Sequence, residues 1–356
     1  MSALALSSCG SADDNSGESG EPIELRYASY NPEALSQSKM AAAFMDGVEE
    51  CTNGQVTFER FWQGSLFGAT EVMPAISEGQ VDVGSMVTAF QIEALPLWEI
   101  SGLPFTGDNE VAIMETMSEL YESNDLFREQ FDKFNVEMLA FHTPGPAATM
   151  TREPITSVGD LDGLKLRAVG LIAEAFGAVG AEAVAIDPAE MYEAVERGVI
   201  DGIGALPFDT APSFGLDEVA PHVTNTGIGI YASSGFGINK NVYEELPDSV
   251  KECMDEVGDD VESNQTISIL EEFNNSACDA FKAAGGSVTT FSEDEIADWS
   301  AEVKSSMRST FVETTAAATG HSTEDIEAFA DEYFALYEEK AAASDYTTGM
   351  RSCAAS

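Results

Sequence analysis

The sequence predicts an α/β protein of two lobes, each a β-sheet flanked by helices, and three observations carry that expectation. The chain has 356 residues, of which 44% are hydrophobic, enough for a sizeable core and long enough for two domains. Its apolar positions switch repeatedly between the period of a strand and the period of a helix, the rhythm of sheets covered by helices. One stretch also occurs twice in approximate form, EVMPAISEGQVDVG at 71–84 and EMYEAVERGVIDG at 190–202. In each copy a helix carrying Ala75-Ile76 or Ala194-Val195 stops at a glycine and gives way to a short strand. Gly79 and Gly198 are natural left-handed stops. Asp82 and Asp201 then fall at matching places, each followed by a glycine, Gly84 or Gly202, where a strand end lets a ligand approach the backbone.

The elements follow in order. IELRYASY at 23–30 alternates so that Ile23, Leu25 and Tyr27 share one face of a strand. After a loop through Asn31 and Pro32, the residues Met40, Phe44, Val48 and Cys51 recur at helical spacing, and Asn53 with Gly54 ends that helix. QVTFERFW reads as the next strand, and GSLFGATE turns into another helix. DLDGLKLRAVG at 160–170 is a turn feeding a strand with Leu164, Leu166 and Ala168 on one face and Lys165 and Arg167 on the other, followed by a short helix over 171–179. Asp187, Pro188 and Glu190 supply a cap acceptor, a proline where no amide is needed and an acid in the first turn of the next helix. GIGIYASSGFGIN at 227–239 reads as a strand returning to the first lobe. Beyond Leu246 the chain is mostly helical, with one long helix over 248–284, a capping box at Ser292 and Glu295, and a last helix from about Thr323 to Ala342.

Acidic residues number 63 against 16 basic ones, a formal charge of −47, which repels nucleic acid and anionic lipid and reads as a solvated, high-salt type of surface. No run of about 20 apolar residues occurs, so nothing in the sequence spans a bilayer as a helix. The N-terminus runs ALALSS into Cys9 and then becomes small, polar and acidic up to Pro22. This resembles the end of a lipoprotein signal peptide, with Leu6 three residues before a cysteine that is lipidated and a flexible tether behind it. The remaining cysteines, Cys51, Cys253, Cys278 and Cys353, are scattered without metal-site spacing. They form either two disulfides in an oxidising compartment or four buried thiols; on one helix Cys253 and Cys278 lie about 37 Å apart, so that pairing is disfavoured.

No constellation of reactive groups stands out. His142, His222 and His321 are isolated, no nucleophile elbow or phosphate loop is present, and GIGIYA at 227–232 matches a dinucleotide pattern only inside an apparent strand. Neither a metal nor a cofactor is implied. Arg167 is the residue to single out, because it ends a polar strand face immediately before a helix start, where guanidinium and helix amides converge on an anion. A bidentate arginine–carboxylate pair suits an organic acid; the alternative is a salt bridge to a local acid.

FWQGSLFG at 61–68, DLDGLKLR at 160–167, DPAEMYEAVERGVIDG at 187–202 and the later Asn239-Lys240 and Leu246-Pro247 pairs closely resemble the extracytoplasmic solute-binding proteins of tripartite ATP-independent periplasmic (TRAP) transporters, of the DctP type. The likeness spans about residues 22–340. It implies a periplasmic-binding-protein-like fold with a long lobe-spanning helix, lobe closure over a small organic acid, and delivery to a membrane permease driven by an ion gradient. It further implies that Arg167 grips the ligand carboxylate, while a second arginine common in the family is missing from HTPGPAATM at 142–150. The expected ligand is therefore a monocarboxylate, with Tyr30, Phe67, Met86, Phe208 and Tyr231 as pocket walls or, more commonly for such residues, as core. The lobes are expected at 22–144 plus 234–257 and at 145–233 plus about 285–320. Residues 1–21 are then a tether, 258–284 the spanning helix, and 321–356 a C-terminal helix and tail. The rival functions are a binding protein of an ATP-driven transporter, a secreted carboxylate-acting enzyme and a ligand-sensing lipoprotein.

Overall fold

The computed structural model describes residues 21–230 and 232–356, so Cys9 and Tyr231 lie outside the described residues. The strands are β1 Ile23–Ala28, β2 Val56–Phe61, β3 Val83–Val87, β4 Val136–His142, β5 Ala147–Thr151, β6 Lys165–Arg167, β7 Glu182–Val184, β8 Gly202–Pro207, β9 His222–Asn225, β10 Ser234–Asn239 and β11 Ser287–Thr290. They form two sheets, one in the order β2-β1-β3-β10-β4 and the other β11-β9-β5-β8-β6-β7. Both sheets are mixed, with β1 parallel to β2 and β3 in the first lobe and β6 parallel to β7 and β8 in the second. The chain passes from the first sheet to the second between His142 and Ala147 and returns between Asn225 and Ser234.

The internal repeat has a structural counterpart. Asp82 accepts the Arg26 amide at 2.7 Å and its own amide donates to the Arg26 carbonyl at 3.1 Å. Asp201 does the same to Lys165, at 2.8 and 2.7 Å. In both lobes one aspartate thus pins the start of the third strand of the unit to its parallel neighbour. Gly79 and Gly198 take the expected left-handed conformation, with φ of 70° and 69°. The expected role of Gly84 and Gly202 is corrected: their bare backbone accommodates the chain itself. A methyl on Gly84 would lie 2.6 Å from Val72 Cγ1, and one on Gly202 would lie 2.1 Å from the Met150 carbonyl oxygen.

The helix Ser36–Cys51 buries Met40, Phe44 and Val48 against the first sheet, as its apolar spacing requires. Asp187 accepts the Ala189 amide, and Ser292 with Glu295 forms the capping box that starts the helix Glu293–Thr319. The spanning helix runs as Asp248–Asp260, a π-turn Val261–Gln265 and Thr266–Ala283. Its first half packs in the core with Phe44 and Val48, and its last turns pack Ala277, Cys278 and Phe281 in the core of the second lobe. The helix Glu293–Thr319 spans the lobes as well: Trp299, Val303 and Met307 pack with Phe176, whereas Phe311, Val312 and Ala316 pack with Trp98 and Phe127. The second-lobe span expected for 285–320 thus describes only the first half of that helix.

Two disulfides are present, Cys51–Cys253 and Cys278–Cys353, so the reading of four free thiols is set aside. The first ties the spanning helix to Ser36–Cys51, and the second ties it to the C-terminal helix Gly349–Ala355, an element the apolar pattern does not announce. The strand expected over 227–239 is shorter, Ser234–Asn239. Gly227 and Gly229 have φ of 73° and 99°, and a side chain on Gly229 would meet the Gly107 carbonyl at 2.7 Å, so this stretch bends against the 103–107 loop, while the Gly229 carbonyl accepts the Ala147 amide at the start of β5 at 2.9 Å.

Candidate functional site

Arg167 is the last residue of β6, in register with Val184 of β7 and Ile203 of β8. It is 4% exposed, and its Nε donates to the Ile186 carbonyl at 3.2 Å. Of the 16 Lys and Arg residues, all of them described, it is the only buried one. Burying a guanidinium costs several kcal/mol unless a carboxylate or equivalent set of acceptors meets it. The helix Gly170–Ala178 begins three residues later, and Leu171 at its start packs against the first lobe's core, as does Phe67. Arg167 therefore stands at the carboxyl end of a parallel strand, beside the seam between the lobes, the place where open α/β sheets bind ligands.

In the first lobe, the helix that follows β1 meets the second lobe at its start, where the Ser36 hydroxyl donates to Asp209. Tyr30 follows β1, half-buried, with its ring edge-on to Phe90 at 5.3 Å. Phe90, in the turn after β3, is 43% exposed. These loops are tied together, since Gln91 Nε2 donates to the Ala69 carbonyl at 3.3 Å and the Gln63 amide to the Asn31 carbonyl at 2.9 Å.

Residues 27–314 match the family model of the bacterial extracellular solute-binding proteins, family 7, the DctP family. The chain belongs to this family. It is 27% identical over 267 residues to the ectoine-binding periplasmic protein TeaA of Halomonas elongata, covering 74% of this chain and 77% of that one. It is 25% identical over 285 residues to the C4-dicarboxylate-binding periplasmic protein of Rhodobacter capsulatus, with 78% and 84% covered. Among solved structures, a TRAP solute-binding protein of Rhodoferax ferrireducens, in complex with copurified benzoate, superposes with a TM-score of 0.76 at 20% identity, covering 90% of this chain and 99% of that one. As a family-7 binding protein the chain is the solute-binding component of a TRAP transporter, and among the described residues no helix is long and apolar enough to cross a membrane.

Within this family-7 chain, Arg167 is buried at the end of β6, Tyr30 is half-buried after β1, and Phe67 is partly buried against the first lobe's core. Met86 is 1% exposed in the first lobe's core, and Phe208 is fully buried, stacked on Phe281 at 5.8 Å between centroids in the second. Both are core side chains. The described residues also bring in groups that the sequence reading passes over. Asn31 is 6% exposed, and its Nδ2 has no hydrogen-bond partner among the described residues. Thr143 and Ser234, on the two crossings, are buried with hydroxyls in the same state.

His142 ends β4 opposite Ser234, fully buried beside the Phe236 ring at 5.5 Å. Burial pushes its pKa down to about 3, so it is neutral and adds no second positive charge. The signal that would have found these residues is a polar side chain at a strand end adjoining a crossing. A surface pocket of about 200 Å³, between Leu103, Lys304, Arg308 and Phe334, contains none of them. Its Arg308 is held by Glu327 and Asp331, each at 2.7 Å. No group of described His, Cys, Asp and Glu residues has the arrangement of a metal site.

Proposed function

We propose that this binding protein captures a small monocarboxylate with an apolar or aromatic body. Arg167 grips the carboxylate, and the Tyr30, Phe90 and Phe67 side of the first lobe closes over the body of the ligand. The observation that supports this reading is that Arg167 is the one buried Lys or Arg side chain and that the buried His142 is neutral. A second ligand carboxylate would therefore be desolvated without a counter-charge. The aromatic pair beside the seam, and the benzoate held by the Rhodoferax structure, favour an aromatic acid. Closure removes water from the ion pair and strengthens it, and the higher affinity of the closed form shifts the population toward it. The protein binds and releases its ligand unchanged, and lipidated Cys9 holds it at the outer face of the membrane.

Thermal-shift measurements with benzoate, 3-hydroxybenzoate, pyruvate, succinate and ectoine test the class. Stabilisation by a monocarboxylate is expected, and stabilisation by succinate or ectoine alone overturns it. Calorimetry of the best monocarboxylate with Arg167→Ala should show affinity roughly tenfold or more weaker, since charged hydrogen bonds contribute about 1.5–3 kcal/mol each. Unchanged affinity removes Arg167 from the site.

A further inference from the structure

We infer that Asp209 is an interlobe latch: a second-lobe carboxyl group that accepts the Ser36 hydroxyl at the start of the first-lobe helix Ser36–Cys51 and so helps to set how often the cleft is closed. That helix has 16 residues, Leu35 at its N-cap makes no side-chain cap bond, and its first turn contains no acid. Its unpaired amides and its positive dipole end are thus left without an anion from their own segment. A carboxyl group stands against that end from across the seam. Ser36, the first helical residue, is fully buried, and its hydroxyl donates to Asp209 Oδ2. Asp209 lies just beyond β8 and is 4% exposed. Its other oxygen accepts the Gly145 amide at 3.0 Å, and Gly145 belongs to the crossing between the sheets.

One carboxyl group therefore joins two parts that separate when the lobes part, the first lobe's helix and the second lobe, where Gly145 also stays because the Phe208 amide donates to the Pro146 carbonyl at 3.2 Å. Its backbone partners, the amides of Asp209 and Thr210, stay with the second lobe in any state. The bond to Ser36 is the one that separation would break. Gly145 fits the same arrangement, because a methyl there would lie 3.0 Å from Asp209 Oδ1 and 3.3 Å from Asn274 Oδ1. Asn274, on the spanning helix, is 3% exposed and neither of its amide atoms has a partner among the described residues, so the latch sits in a buried polar layer. Breaking it exposes the carboxylate to water and returns part of what its burial costs, which makes the contact suited to a reversible equilibrium. Asp209 is thus a positioning residue, and the inference holds whichever acid the cleft takes.

Asp209→Asn and Ser36→Ala, studied without ligand, test it. Small-angle scattering should show a larger radius of gyration in both. Mass-spectrometric hydrogen exchange should be faster by about tenfold at the 36–40 and 209–214 segments, the effect expected for losing one charged hydrogen bond. The melting temperature of Ser36→Ala should change little, which separates a latch from a general structural role. Wild-type scattering and exchange in the alanine variant would overturn the inference, and that variant decides it even if Asp209→Asn fails to fold.

Discussion

Glu262 makes the stability of this protein depend on pH in a direction opposite to that of an ordinary surface carboxylate. It sits in the π-turn of the spanning helix, accepts the Phe141 amide at 2.5 Å and the Ser118 hydroxyl at 2.6 Å, and is half-buried. Burial raises its pKa from the ordinary 4.5 to about 8, against the smaller lowering effect of those two hydrogen bonds. A raised acid gives its full contribution below the unfolded value and loses it as pH climbs toward the folded value, so the window runs from 4.5 to about 8. Each unit within it corresponds to about 1.4 kcal/mol, or about 3 kcal/mol lost by pH 7.

Glu262→Gln keeps the shape and the acceptor for Phe141, and its amide can donate to Ser118, but it cannot ionise. Urea unfolding of both proteins at pH 5 and pH 7, at matched high salt so that the net charge is screened, isolates the effect. The stability of the glutamine variant relative to wild type should rise by about 2–3 kcal/mol between the two pH values. Parallel pH dependences would refute the reasoning, because they would mean that Glu262 has the same proton affinity in the folded and unfolded chains.

Replacing Cys278 and Cys353 together by serine should lower the unfolding free energy by about 2–4 kcal/mol, read from urea midpoints, because the bridge closes a loop of 75 residues in the unfolded chain. Gly202→Ala should cost roughly 1–3 kcal/mol by the same assay, since its methyl would lie 2.1 Å from the Met150 carbonyl, a backbone atom that cannot swing aside. Phe105→Ala should cost about 3–5 kcal/mol, because the ring packs edge-on to Trp299 at 5.0 Å from a residue whose φ of 63° the surrounding packing must hold. Raising the salt concentration should increase the melting temperature of the wild type, as screening relieves the repulsion of a formal charge of −47.

Much of the fold was legible in local chemistry. The stripe Met40, Phe44, Val48 marked a helix because helical geometry puts those positions on one face, and the Asp187-Pro188 and Ser292…Glu295 caps marked helix starts because few residues satisfy exposed amides there. The repeat around Asp82 and Asp201 was legible as similarity, but what it does was not. Those aspartates bond the amides of Arg26 and Lys165, which lie 56 and 36 residues away in sequence. The glycines beside them were misread for the same reason: the atoms that demand a missing side chain belong to Val72 and Met150. At 227–230 apolar alternation suggested a strand, and the approach of Gly107 bent the chain instead.

The sequence by itself determined an acidic, two-lobed α/β chain of a recognisable family, with one arginine at a strand end. These properties follow from composition, periodicity and motifs that neighbouring residues settle among themselves. Only the tertiary structure decided which cysteines meet, that Arg167 is the one buried cation, and that Asp209 reaches Ser36 across 173 residues. Burial and long-range pairing depend on which surfaces the folded lobes bring together, and no local pattern encodes that distance.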